Sequence, residues 1–364
     1  MARYQSSLQH ALTRLGLDFT LVQPTIPGPI KVANRLLQRF NFDLLSFFTT
    51  YPLAANLKSS VPTHLTTQQM GFLLWHRRRL RPCLITVHDI VPYLVRRDAN
   101  QSTFRHPLDT AFDEAAMRGL KLADCLIADS KFTKRTLVET LDYQEDRIQV
   151  VPLAIAHDVF RPRVVPGSFY ARFSLDPSLR YILYVGSENP RKNLPRLLRA
   201  FSAVRARFPD VRLLKIGTAE YPRQAKSLQQ QVAELGLALH VRFIPHVSDD
   251  DLVLLYNLAS LFVFPSLLEG FGLPPLEAMA CGTPVVCSNA ASLPEVVGEA
   301  ALTVDPYDVD ALATAMYSVL EDVNLADQFR ARGVERAKAF TWEKTARETI
   351  GVYERVFEWG QPNK

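Results

Sequence analysis

Residues 261–282 read Leu261-Phe262-Val263-Phe264-Pro265-Ser266-Leu267-Leu268-Glu269-Gly270-Phe271-Gly272-Leu273-Pro274-Pro275-Leu276-Glu277-Ala278-Met279-Ala280-Cys281-Gly282. The first four residues are apolar and of strand length. The two prolines stand where the first turn of a helix tolerates a missing N–H, and Gly282 suits the end of that helix. The order is strand, glycine loop, helix, which in an open parallel sheet delivers the loop to the carboxyl edge. Gly270 and Gly272 leave backbone amides uncovered, and the positive end of the helix points at the same spot, so an anion such as a phosphate is the natural guest. Glu269 on the loop and Glu277, expected in the first turn of the helix, frame that spot with carboxylates. Either glutamate alone reads as a solvated or helix-capping side chain.

The pattern around this stretch is regular. Strands are predicted at 181–185, 211–216, 240–244, 261–264, 284–287 and 301–304, each separated by a helical pattern, which argues for a parallel sheet covered on both faces. Helices follow at 308–320, 325–340 and 341–359. The first half is less even. It begins with an amphipathic helix over 2–15 that stops at Gly16, a strand over 19–22 and a proline-rich connection over 24–29. A strand is possible at 44–49, and the tract to residue 70 has no assignable period. Strands at 83–87, 125–128 and 148–151 and helices at 111–122 and 130–141 complete it, with Ser130 as the N-cap of the second helix.

At 364 residues the chain is long for one core, and two domains are expected: 1–165, 166–340 and a final helix over 341–364 that crosses back to the first. A hydrophobic content of 48% with 22% charged residues is that of a globular protein, and neither a membrane-spanning run nor a signal peptide is indicated. Cys83, Cys125, Cys281 and Cys287 show no metal-ligand spacing and read as free thiols of a cytoplasmic protein. Residues 1–165 hold 21 Lys and Arg against 14 Asp and Glu, so the +5 net charge belongs to the first half. The run Arg77-Arg78-Arg79-Leu80-Arg81, with Leu36-Leu37 and Phe47-Phe48 nearby in sequence, suits an anionic membrane surface or a solvated edge. No nucleic-acid module accompanies the charge.

Other strand ends carry candidate chemistry. His88 follows the 83–87 strand, with Asp89 placed to fix the turn. Gly186-Ser187-Glu188-Asn189-Pro190-Arg191-Lys192-Asn193 follows the 181–185 strand and brings two cations to a site where a diphosphate leaving group could be neutralised without a metal. Val247 follows the 240–244 strand beside the exposed-type His246, and Ser248 reads as a helix cap. Ser292-Leu293-Pro294-Glu295 reads as a capping box without a role in chemistry.

Glu269 and Glu277, separated by seven residues that include Gly270-Phe271-Gly272-Leu273, with Pro-Leu-Glu-Ala-Met-Ala-Cys-Gly-Thr-Pro-Val-Val following, resemble the signature loop of the family 4 retaining glycosyltransferases. The resemblance is strongest over residues 80–359. It implies a GT-B fold, two Rossmann-like α/β domains facing each other across a cleft, and a hexosyltransferase that extends a glycan or polyprenyl-linked acceptor from a nucleotide diphosphate sugar. No cofactor is implied, and GDP-mannose is the first donor guess. By the same resemblance Glu269 and His88 are the catalytic pair. Arg191, Lys192, Gly186, Val247, Gly270, Phe271, Gly272, Leu273 and Glu277 would bind the donor, with Val247 contacting the base through its main chain and Glu277 the ribose. Ser187 stands where many relatives carry arginine, which leaves the phosphates to Arg191 and Lys192. Relatives open with a further strand and glycine loop, so the likeness begins inside the first β–α unit and implies an N-terminally incomplete first domain whose sheet lacks a strand. A location in the cytoplasm, peripheral to the inner face of the membrane, goes with such an acceptor. A non-catalytic scaffold of the same fold, or a nucleotide-sugar epimerase or hydrolase, are the competing readings.

Overall fold

A computed structural model describes residues 2–22, 61–76, 82–98, 107–218 and 222–359, with Gly28, Ile30, Asn34, Ser102 and Phe104 besides. Most of the proline-rich connection over 24–29, the possible strand at 44–49, the apolar residues of 36–48 and the basic run Arg77 to Arg81 lie outside the described residues. The chain divides into two compact units, one of residues 1–153 with 342–364 and one of residues 154–341, so residues 154–165 fold with the second. Among the described residues no helix is long and apolar enough to cross a membrane.

Among the described residues the first unit is built on four parallel strands in the order β1 (Thr63–Leu65), β2 (Cys83–Val87), β3 (Cys125–Ala128) and β4 (Ile148–Val150). Side chains alternate across a strand, and here both faces are apolar. Cys83, Ile85 and Val87 of β2, with Leu126 and Ala128 of β3, pack against Leu73, Leu120 and Leu137 from three helices on one face. Leu84, Cys125 and Ile127 turn the other way, onto Val352 and Val356 of the final helix, Trp342–Trp359. Each such buried Leu, Ile or Val contributes about 1.5–3 kcal/mol. Helices Gly71–His76 and Pro107–Leu120 approach so closely that a Cβ on Gly119 would lie 1.8 Å from the Gly71 carbonyl oxygen. Glycine is required there for space.

Two expectations fail in this unit. Residues 19–22 form no strand: Phe19 and Leu21 remain 41% and 46% exposed, because β-rich composition without a partner ladder does not make a strand. The tract before residue 70, unassigned from sequence, holds β1, whose three residues are too few to show a period.

Among the described residues the second unit has six parallel strands in the order β10 (Leu302–Val304), β9 (Val285–Ser288), β8 (Leu261–Phe264), β5 (Arg180–Val185), β6 (Val211–Ile216), β7 (Val241–Ile244). All six agree with the sequence-predicted strands to within a residue or so. The chain runs outward from β5 to β7, then returns to β8 on the other side of β5, so the strand order reverses between β5 and β8. In open parallel sheets a ligand binds outside the carboxyl ends at such a switch point.

Candidate active site

The loops after β5 and β8 flank this switch point, because Ile182 and Leu183 of β5 pair in register with Leu261 and Phe262 of β8. They are tied by their backbones: Leu267 N–H donates to the Arg191 carbonyl at 2.7 Å. The β5 loop is held in shape by its own amides. Asn189 accepts from the Arg191 N–H at 3.1 Å and opens the 3-10 turn Pro190–Lys192. Asn193, in the left-handed region at φ 63°, sends its side-chain amide to the Pro265 and Pro306 carbonyls at 3.0 and 2.7 Å.

That frame aims Arg191 and Lys192 at one carboxylate. Lys192 Nζ lies 2.6 Å from Glu269 Oε1 and Arg191 Nη1 lies 3.0 Å from Oε2, while the same guanidinium nitrogen donates to the Leu268 carbonyl at 2.8 Å. Glu269 is buried. Burial alone would raise its pKa, but Lys192 and Arg191 outweigh burial and hold it below the usual glutamate value, so it stays ionised. The structure therefore brings together three of the sequence-predicted residues.

Gly272 takes φ 120° and closes the glycine loop onto helix Leu273–Ala280, with Pro274 and Pro275 in its first turn. Phe271 is buried edge-on to Phe340 at 5.9 Å. Glu277 is not in the first turn as expected, since the helix begins at Leu273. It lies further along, buried, and its Oε2 accepts from the Tyr256 hydroxyl at 2.9 Å. Ser292 corrects a second expectation. It makes no side-chain cap; its buried hydroxyl goes to the Glu269 and Phe271 carbonyls at 2.9 and 2.6 Å, acceptors that a local pattern cannot reveal. Ser248 does cap its helix by accepting from Asp251 N–H, and His246 is exposed with Val247 half-buried beside it. Gly186, half-buried, continues the sheet through its N–H to the Ile216 carbonyl at 2.9 Å.

Sequence reasoning missed an ion pair next to this loop. Lys215 Nζ, at the end of β6, binds Glu188 and donates to the Gly217 carbonyl at 2.9 Å, with both side chains buried. A lysine inside the apolar run Leu213-Leu214-Lys215-Ile216 was the available signal, since a buried charge requires a partner.

His88 belongs to the first unit. Val87 and Ala128 are register partners on β2 and β3, which sets the next residues, His88 and Asp129, side by side. His88 Nδ1 lies 2.7 Å from Asp129 Oδ2, and Nε2 donates to the Thr66 carbonyl at 3.1 Å. Burial would lower the histidine's pKa, but the Asp129 carboxylate reverses this and raises it. Asp89 accepts from Val91 N–H at 2.9 Å, fixing the turn as expected. Nearby, His64 is held neutral, with a pKa of about 3, by burial and by His88; its ring nitrogens meet the Tyr353 and Thr86 hydroxyls, each at 2.7 Å. Among the described residues no group of three or more His, Cys, Asp or Glu could hold a metal ion.

Residues 171–336 match the family model described as glycosyl transferases group 1, and residues 1–159 match that of glycosyltransferase family 4. The O-antigen chain mannosyltransferase B of Escherichia coli is 35% identical over 78% of this chain and 72% of its own length. A serotype-specific mannosyltransferase, WbdA of Escherichia coli, is 32% identical over 75% of this chain, which spans only 33% of that relative. The sucrose-phosphate synthase of Thermosynechococcus elongatus, a solved structure, superposes with a TM-score of 0.70 at 25% identity over 92% of this chain and 81% of its own. Two parallel-sheet α/β units, a cation-bracketed Glu269 at the switch point and these relatives lead to one conclusion: the chain belongs to the family 4 glycosyltransferases of the GT-B fold and is a hexosyltransferase.

Proposed function

We propose that this chain moves a hexose, mannose in the first instance, from a nucleoside diphosphate to a hydroxyl of a glycan or polyprenyl-linked acceptor, with retained anomeric configuration. The observation that carries the reading is the Arg191, Glu269, Lys192 cluster between β5 and β8. Breaking a sugar–phosphate bond builds positive charge at the anomeric carbon and negative charge on the departing diphosphate. Lysine has three N–H donors and arginine five, so one cation can serve a carboxylate and a diphosphate oxygen together. In this reading side-chain cations meet the diphosphate charge, and no metal or other cofactor takes part.

Glu269, kept ionised, is unsuited to donate a proton. Its role is to orient sugar hydroxyls and offset charge at the anomeric carbon. The loop from Gly270 through Phe271 and Gly272 to Leu273 seats the phosphates, with Gly186 lining the approach. Glu277, one oxygen fixed by Tyr256, takes the ribose hydroxyls, and Val247 meets the base through its main chain. His88 acts on the sugar, for which Nε2 must exchange the Thr66 carbonyl for a sugar hydroxyl.

The mannosyltransferase names of the Escherichia coli relatives favour mannose and make GDP-mannose the first donor to test. A polyprenyl-linked acceptor goes with a location at the cytoplasmic membrane face, the basic first half against anionic lipid. Purified protein incubated with GDP-mannose, GDP-fucose, UDP-glucose and UDP-galactose should release nucleoside diphosphate from one of them. Turnover equal to that of Glu269→Gln, or none with any donor, refutes the reading. Nucleotide-induced thermal stabilisation without turnover would favour a non-catalytic protein of the same fold.

A further inference from the structure

Ser292 lies outside the signature loop, in the segment after β9, yet its fully buried hydroxyl is spent on that loop. It reaches the Glu269 carbonyl at 2.9 Å and the Phe271 carbonyl at 2.6 Å. In a trans peptide the C=O and the following N–H point in opposite directions. Two carbonyls converging on one oxygen therefore turn the N–H groups of Gly270 and Gly272 to the same side, away from Ser292. The next residue reinforces this. A Cβ on Gly272 would lie 2.7 Å from Leu293 Cδ2, so residues 292 and 293 hold the loop at adjacent points. Ser292 makes no helix-capping hydrogen bond with its side chain, and its hydroxyl goes to the loop carbonyls instead.

We propose that Ser292 is a positioning residue for the diphosphate. By pulling two alternate carbonyls inward it presents the amides of the glycine loop as a preformed seat for the negative oxygens of a nucleoside diphosphate. The inference rests on the reading of this loop as the phosphate seat. Preformed donors are effective because no rearrangement is required when the anion arrives. The hydroxyl's single proton is shared by the two carbonyls; without it both lose that shared donor and each peptide plane is freed to rotate. The loss should then fall on phosphate contacts and spare contacts made to the base or ribose.

The test uses the full chain with Ser292→Ala and Ser292→Cys, the second nearly isosteric but a poor donor. Dissociation constants are measured by calorimetry or by inhibition for GDP and UDP, and for guanosine and uridine. Both variants are expected to bind the preferred nucleoside diphosphate about tenfold more weakly, or about 1.4 kcal/mol, with the nucleoside constant unchanged. Wild-type affinity for the diphosphate in Ser292→Cys overturns the inference, as does an equal loss for nucleoside and diphosphate. If wild-type protein binds neither diphosphate, the reading of the loop falls and this inference falls with it. That outcome is distinct from normal wild-type binding with an indifferent Ser292.

Discussion

Lys192 Nζ and Glu269 Oε1 stand 2.6 Å apart, although 77 residues separate them in the chain. Removing one partner of a nearly buried pair leaves the other charge uncompensated, at a cost of about 3–5 kcal/mol. Glu269→Gln keeps the shape and removes the charge, and transfer is expected to fall by about 10²–10³ in kcat. Lys192→Met should weaken the donor as well, raising its KM. Steady-state kinetics with the donor found in the panel separate the two.

Glu269 also sets an acid limit. Its pKa is lowered in the folded chain, so the stability it contributes is present above the ordinary glutamate value of 4.5 and is lost as pH falls through the folded value. Melting temperatures between pH 3 and 6 should fall more steeply for wild type than for Glu269→Gln. Parallel curves would show that the cations do not hold the carboxylate ionised.

The two histidines of the first unit should titrate in opposite senses. His88 is raised above 6.5, so its contribution is complete below that value and is lost as pH rises through the folded pKa. Asp129, raised because burial outweighs the imidazole, shifts in the same sense. His64, depressed to about 3, contributes stability above 6.5 that is lost as pH falls towards 3. NMR titration of the imidazole Cε1–H signals should show His64 neutral at pH 5 and a His88 midpoint above 6.5, and Asp129→Asn should lower the His88 midpoint.

Tyr256→Phe deletes the hydroxyl that donates to Glu277 Oε2 at 2.9 Å. Losing this charge-assisted bond between two buried groups is expected to weaken nucleoside diphosphate binding by about 1–2 kcal/mol and to lower the melting temperature as well. Calorimetry with GDP or UDP checks it.

Gly119→Ala sets a methyl group against the Gly71 carbonyl, where the distance would be 1.8 Å. The helices must separate, and a loss of about 1–3 kcal/mol or more is expected. Urea denaturation measures it, and Gly167→Ala, whose Cβ meets nothing within 4 Å, is the control.

What the chain declares in advance depends on how local its causes are. β8, the glycine loop and the following helix are written in consecutive residues, since an apolar run, two glycines and two prolines each act on their own backbone. The meeting of Arg191 and Lys192 with Glu269 is not written that way. It follows from β5 pairing with β8, a long-range choice that strand periodicity does not encode. Ser292 was misread for the same reason: serine three residues before Glu295 satisfies the capping pattern, yet the carbonyls of Glu269 and Phe271 compete for the same hydroxyl and take it. Asp129 had a visible cue in its place directly after an apolar strand, the position His88 also occupies. Residues 19–22 erred the other way, since composition supplies propensity and only a neighbouring strand supplies hydrogen bonds.

The pairing of β5 with β8 also bears on how the protein is made. Arg191 and Lys192 leave the ribosome well before Glu269 and cannot meet their counter-anion until β8 has docked beside β5. A growing chain therefore carries both cations without Glu269 through the synthesis of β6, β7 and the helices between, and nucleotide affinity should arise in one step when the segment following Phe264 emerges.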